Sequence, residues 1–145
     1  MHYHIYCNTK NMPSNHLLAL NEFQKRLSAY CDITLHTSTL LIFPKELNHH
    51  NHQFVYIQNG VSTYSSEQFS EYLNNLQLSG KSTIHVIIGH NETSFYEALS
   101  TITNYTAPDY FSLTNCNLSS ATKTLLFYEQ LYRGYTILQG KTYHK

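Results

Sequence analysis

The chain has 145 residues, 41% of them hydrophobic, with nine Lys plus Arg balanced by nine Asp plus Glu. That length and apolar content suit one domain, spanning residues 1–145, with a real core, and nothing in the composition suggests disorder. A formal charge of zero excludes the basic footprint that drives non-specific nucleic-acid binding by counterion release, so any RNA is met locally and by shape.

In chain order, HYHIYC (His2 to Cys7) alternates as a strand does, and the turn cluster NMPSN follows. Leu17, Leu20, Phe23, Leu27 and Tyr30 then recur at helical spacing, which predicts an amphipathic helix. DITLHTSTLLIF (Asp32 to Phe43) reads as a second strand ending before Pro44, and NHHNH as a loop. FVYIQNG (Phe54 to Gly60) reads as a strand closing on an Asn-Gly turn. Behind it, Ser65 and Gln68 have capping-box spacing, with Phe69, Leu73 and Leu76 as the buried stripe of a helix. STIHVIIG (Ser82 to Gly89) is the most apolar strand, ETSFYEALSTI a helix, DYFSLT a strand, and SSATKTLLFYEQLYRGY a last long helix ending near Gly134. Strands alternating with helices predict an α/β fold with a parallel sheet. Ligands of such sheets sit beyond the carboxyl ends of strands, here after Ile57, Gly89 and Leu113.

Cys7, Cys31 and Cys116 are odd in number and lack C-x-x-C spacing, so they signal neither a disulfide framework nor a zinc knuckle and read as core or strand residues. The first residues lack a basic stretch followed by an apolar run, and no segment approaches the ~20 apolar residues of a membrane span. A cytoplasmic protein without membrane contact is expected. Sequons begin at Asn91, Asn104 and Asn117, but without an export signal they carry no message. Neither G-x-G-x-x-G nor G-x-x-x-x-G-K-[ST] occurs, so the two common nucleotide cradles are missing. His49, His50 and His52 are conceivable metal ligands, yet no carboxylate or cysteine recurs at useful spacing, and no metal site is expected. His2 and His4 share a strand face and read as sheet surface.

The ending EQLYRGYTILQGKTYHK (Glu129 to Lys145) resembles the C-terminal signature of the RlmH family. These are small SPOUT-class methyltransferases that end in Glu-Gln-Leu-Tyr-Arg-Ala, an apolar stretch, Gly, and Tyr-His with a final basic residue. KRLSAYCDI, NGVSTYSSEQF, LSGKSTIHVIIG and FSLT agree in order, so the resemblance covers about two-thirds of the chain. It implies a SPOUT-type parallel sheet flanked by helices, with a C-terminal trefoil knot that periodicity does not predict. It also implies a homodimer using S-adenosylmethionine to methylate N3 of a pseudouridine in 23S (large-subunit) rRNA on the assembled ribosome. By the same resemblance, Gly89, Ser112, Leu113, Thr114 and Leu118 bind the cofactor. Arg133 and His144 serve the chemistry, while Tyr132, Tyr143 and Lys145 meet RNA.

Several positions depart from the family pattern. His90 stands where a second glycine is expected, so a side chain there should crowd the cofactor or force a costly φ. Ser119, Ser120 and Thr124 replace a Pro, a His and an Arg, Ile57 stands for an Asp, and about five residues are added before FSLT. The alternative is therefore a catalytically inactive SPOUT-fold paralogue that binds rRNA or a ribosome-assembly intermediate. Several of these residues also have a plain structural reading. Arg133 could complement a helix C-terminus, His144 could be a solvated tail residue, Gly89 a strand-ending turn, and Ser112 to Thr114 packing, while Glu129 reads as structural.

Overall fold

The computed structural model describes residues 1–44, 49–60 and 63–143. Strands β1 (His2–Cys7), β2 (Asp32–Thr37), β3 (His52–Ile57), β4 (Thr83–Ile88) and β5 (Asp109–Phe111) form one sheet in the order β2-β1-β4-β3-β5. Every pairing is parallel. The helices are α1 (Ser14–Leu27), α2 (Ser66–Leu78), α3 (Glu92–Leu99) and α4 (Ser120–Leu138), and a 3-10 turn covers His49–Asn51.

Side chains alternate across the sheet, so the three central strands β1, β4 and β3 feed two cores. Tyr3, Ile5, Ile33, Val55, Ile57, Ile84, Val86 and Ile88 share one cluster with the buried sides of α1, α2 and α4. Tyr6, Phe54, Tyr56 and Ile87 point the other way and join Phe43 and the α3 residues Phe95, Ala98 and Leu99. The inner strands β3 and β4 are thus buried on both faces, which accounts for their near-continuous apolar runs.

The capping box at α2 is formed: Gln68 N–H donates to Ser65 Oγ at 3.1 Å, and Ser65 N–H to Gln68 Oε1 at 2.8 Å. Phe69, Leu73 and Leu76 make its buried stripe as expected.

Four expectations are corrected. The second strand stops at Thr37, after which the chain leaves the sheet and tucks Phe43 into the second core. Leu17 is exposed, and the core side of α1 rests on Leu20 and Leu27. Cys116 is exposed in a loop, unlike buried Cys7 and Cys31. Gly134 does not end the last helix: a Cβ there would lie 2.9 Å from Leu73 Cδ1, so the glycine lets α4 approach α2 closely inside a helix that runs on to Leu138.

His2 and His4 are also more than sheet surface. Their rings stack at 4.3 Å, His4 stacks on His36 and His85, and His52 stacks on His85 at 5.0 Å. Five imidazoles from four strands therefore line one face of the sheet, at the edge of the second core. His85 is fully buried among them, held by Tyr6 Oη at 3.1 Å and His52 Nδ1 at 2.8 Å.

Candidate functional site

The turn after β4 is built around Gly89, whose φ of +83° lies in the left-handed region that favours glycine. A Cβ there would sit 1.9 Å from Ser120 Oγ and 2.8 Å from Ser120 Cβ, because the turn packs against the start of α4. Asn8 at the end of β1 donates its side-chain N–H to Gly89 O at 3.1 Å. Gly89 therefore satisfies its structural reading, and it also lines a cavity of about 350 Å³ beyond the carboxyl ends of β3 and β4. Tyr56, Ile57, Gln58, Asn59, His90, Asn91, Glu92 and Lys123 complete the lining.

His90 does not force a costly backbone. Among the described residues only Asn104 is a non-glycine with positive φ, so that half of the expectation is corrected. Its carbonyl accepts from Tyr56 Oη at 2.6 Å, and the buried residue lines both this cavity and a second of about 300 Å³ beside Tyr6 and His36. Burial lowers the His90 pKa, which keeps the ring neutral at pH 7.

Lys123 was not singled out in the sequence. It lies in the first turn of α4 and is only 8% exposed; its backbone N–H donates to Ser119 O at 2.9 Å, while its side chain makes no hydrogen bond or ion pair with any described residue. Burial lowers its amine pKa. Thr124 beside it is fully buried and returns its hydroxyl to Ser120 O at 2.9 Å.

Ser112 and Leu113 line a different cavity, of about 180 Å³, with Tyr64, Ser65, Ser66, Phe69 and Gln130. The Ser112 hydroxyl donates to Thr114 O at 2.8 Å, and its backbone bridges Thr63. Thr114 Oγ1 accepts from Cys116 N–H, and Leu118 is half-buried. The loop after β3 links the two regions, since Gln58 N–H donates to Phe111 O at 3.1 Å and Ser112 Oγ reaches Gly60 O at 3.4 Å. The structure thus brings Gly89 and Ser112 to Thr114 to neighbouring strand ends without placing them in one pocket.

The third group gathers on the far part of α4. Arg133 grips Glu129 Oε1 through Nε at 3.0 Å and Nη2 at 2.7 Å, which leaves Nη1 without a described partner. The guanidinium lies 5.8 Å from the centre of the Tyr143 ring, and Tyr143 meets Tyr132 edge-on at 4.7 Å. Arg26 lies 6.0 Å from the Tyr132 ring, adding a second cation to the patch. Tyr132, Arg133 and Tyr143 are therefore one surface, with Glu129 as the clamp its structural reading anticipated. His144 and Lys145 lie outside the described residues. At 1.5 Å of rise per residue, Arg133 stands roughly 20 Å along α4 from Ser120, the residue packed on Gly89.

A family model described as "Predicted SPOUT methyltransferase" matches residues 1–144. The chain is 28% identical over 146 residues to "Ribosomal RNA large subunit methyltransferase H 1" of Thermoanaerobacter sp. (strain X514), covering 100% of both proteins. It is 30% identical over 146 residues to "Ribosomal RNA large subunit methyltransferase H" of Clostridium botulinum (strain Loch Maree / Type A3), covering 88% of this chain and 89% of that one. Against the protein of the same name from Enterococcus faecalis (strain ATCC 700802 / V583) it is 27% identical over 146 residues, covering 87% and 88%. With a parallel five-stranded sheet beneath a match that spans nearly every residue, this chain belongs to the SPOUT methyltransferase family.

Proposed function

We propose that the protein transfers a methyl group from S-adenosylmethionine to N3 of a pseudouridine in large-subunit (23S) rRNA, in a site shared by two subunits of a homodimer. Full-length similarity to proteins named as large-subunit rRNA methyltransferases is the observation that carries this reading. The reading includes the trefoil knot, one domain over the whole chain and a cytoplasmic setting. Among the described residues no helix is long and apolar enough to cross a membrane.

The residues at the strand ends fit an adenosyl amino acid. A cavity of about 350 Å³ remains beside His90, with amide side chains and one unpaired cation, Lys123, in its wall. Gly89 would hold the turn on one side, while Ser112, Leu113, Thr114 and Leu118, which lie outside that cavity's wall, would supply backbone from across the loop after β3. When bound, the cofactor supplies a methyl group already activated by its sulfonium. The protein's task is then alignment, which is worth up to about 10 kcal/mol.

The pseudouridine N3 proton must also leave. Arg133, oriented by Glu129, presents its free Nη1 edge to the negative charge that develops on the ring as the proton departs. His144 accepts that proton in this scheme. Tyr132 and Tyr143 offer ring faces for an unstacked base, and Lys145 a cation for its phosphate.

The roughly 20 Å between Arg133 and the Gly89 turn supports a two-subunit site. Within one chain the cation cannot reach a methyl group held at that turn, whereas a second copy can bring its own Arg133 across. Calorimetric titration of S-adenosylmethionine into the purified protein tests the cofactor half. Micromolar binding is expected; no heat at millimolar ligand would contradict it and favour an inactive rRNA-binding paralogue.

A further inference from the structure

We propose that Lys123 binds the carboxylate at the amino-acid end of the cofactor, in the cavity beyond β3 and β4. The proposal rests on the cofactor reading above and adds the residue and the ligand group it recognises.

Lys123 occupies an unfavourable place twice over. Only 8% of the residue is exposed and no counter-ion lies among the described residues, so burial disfavours the ammonium even though the amine itself still touches solvent. It also lies in the first turn of α4, where the helix dipole repels a cation. An apolar residue would suit that position better on both counts. What the position gains is an ammonium in the wall of a cavity of about 350 Å³.

The remaining walls narrow the choice of ligand. Glu92, in the first turn of α3, is exposed at the same cavity and forms no ion pair with Lys123. Gln58 and Asn59 add side-chain amides from the loop after β3. One unpaired cation, one rim carboxylate and the amides of Gln58, Asn59 and Asn91 complement a zwitterion: carboxylate to Lys123, ammonium to Glu92. A nucleic-acid phosphate would bring only negative charge to a cavity that already holds Glu92. Carboxylate binding would also remove both penalties, since it neutralises the ammonium and places an anion near the positive end of α4.

The test titrates S-adenosylhomocysteine and 5′-methylthioadenosine, which share the nucleoside but not the amino-acid end, into the full-length protein and into Lys123→Met. Methionine keeps the length of the side chain and removes its charge, and a thermal melt checks folding. Lys123→Met is expected to weaken S-adenosylhomocysteine at least tenfold, leave methylthioadenosine unchanged, and regain most of the affinity as Lys123→Arg. Equal affinity of wild type and Lys123→Met for S-adenosylhomocysteine overturns the proposal, as does equal loss for both ligands. So does a loss confined to an rRNA hairpin probe, which would assign the cation to nucleic acid. If the wild type binds neither nucleoside, the cofactor reading itself fails, a result visible before any variant is made.

Discussion

Acid should loosen this fold through the imidazole column, and His85 sets the scale. Its pKa is lowered from 6.5 to about 3, first by burial and then by His52, His4, His36 and His2. Below 6.5 the unfolded chain takes up a proton here and the folded chain does not, so stability is whole above 6.5 and falls as pH drops toward 3. At about 1.4 kcal/mol per pH unit for one proton, His85 alone accounts for roughly 2 kcal/mol lost between pH 6.5 and about 5. His4, lowered to about 4 chiefly by burial, acts in the same direction with a smaller, solvent-screened share. Urea unfolding at a series of pH values reads the slope directly. The variant to compare is His85→Phe, whose ring can still stack between His4 and Phe54. It leaves Tyr6 Oη and His52 Nδ1 without this partner, so it should be less stable by about 1–3 kcal/mol at neutral pH. Its pH dependence should be flatter by about one proton, so the two stability curves converge or cross in acid. An unchanged slope in His85→Phe, or a wild-type stability level from 6.5 down to about 5, would refute the reasoning.

Three further substitutions probe the strand ends and α4. Gly89→Ala should cost at least about 2 kcal/mol, since it adds left-handed strain to a clash with Ser120; Ser120→Gly in the same chain should restore the clash share but not the strain, as thermal melts would reveal. Tyr128→Phe should be neutral or stabilising by up to about 1 kcal/mol in chemical denaturation, because the fully buried Tyr128 hydroxyl has no hydrogen-bond partner among the described residues. Arg133→Ala should fold normally by circular dichroism yet lower methyl transfer about 100-fold or more, as expected when a group stabilising developing charge is lost.

What the sequence disclosed was local. The Ser65 to Gln68 spacing, the apolar run of β4 and the helical stripe of α2 depend on neighbours in the chain, and each is formed as read. Gly134 misled because a helix-ending glycine and a helix-packing glycine look alike until Leu73 is placed against it. Period-2 alternation put His2 and His4 on one face, but it could not add His36, His52 and His85, whose strands are joined only by the order β2-β1-β4-β3. Lys123 left one faint local sign, a cation in the first turn of a helix, and its burial without a partner emerges only when α4 lies beside the strand ends. For the tail, the Glu129 to Tyr143 motif was legible through resemblance alone; the clamp of Arg133 by Glu129 then gives it a geometry.

The most direct measurement is transfer of labelled methyl from S-adenosylmethionine to ribosomal particles isolated from cells lacking the modification, followed by nucleoside analysis of the rRNA. The account predicts label in the large-subunit rRNA as N3-methylpseudouridine, dependent on Arg133. Well-folded protein that binds those particles yet leaves every nucleoside unlabelled would contradict it.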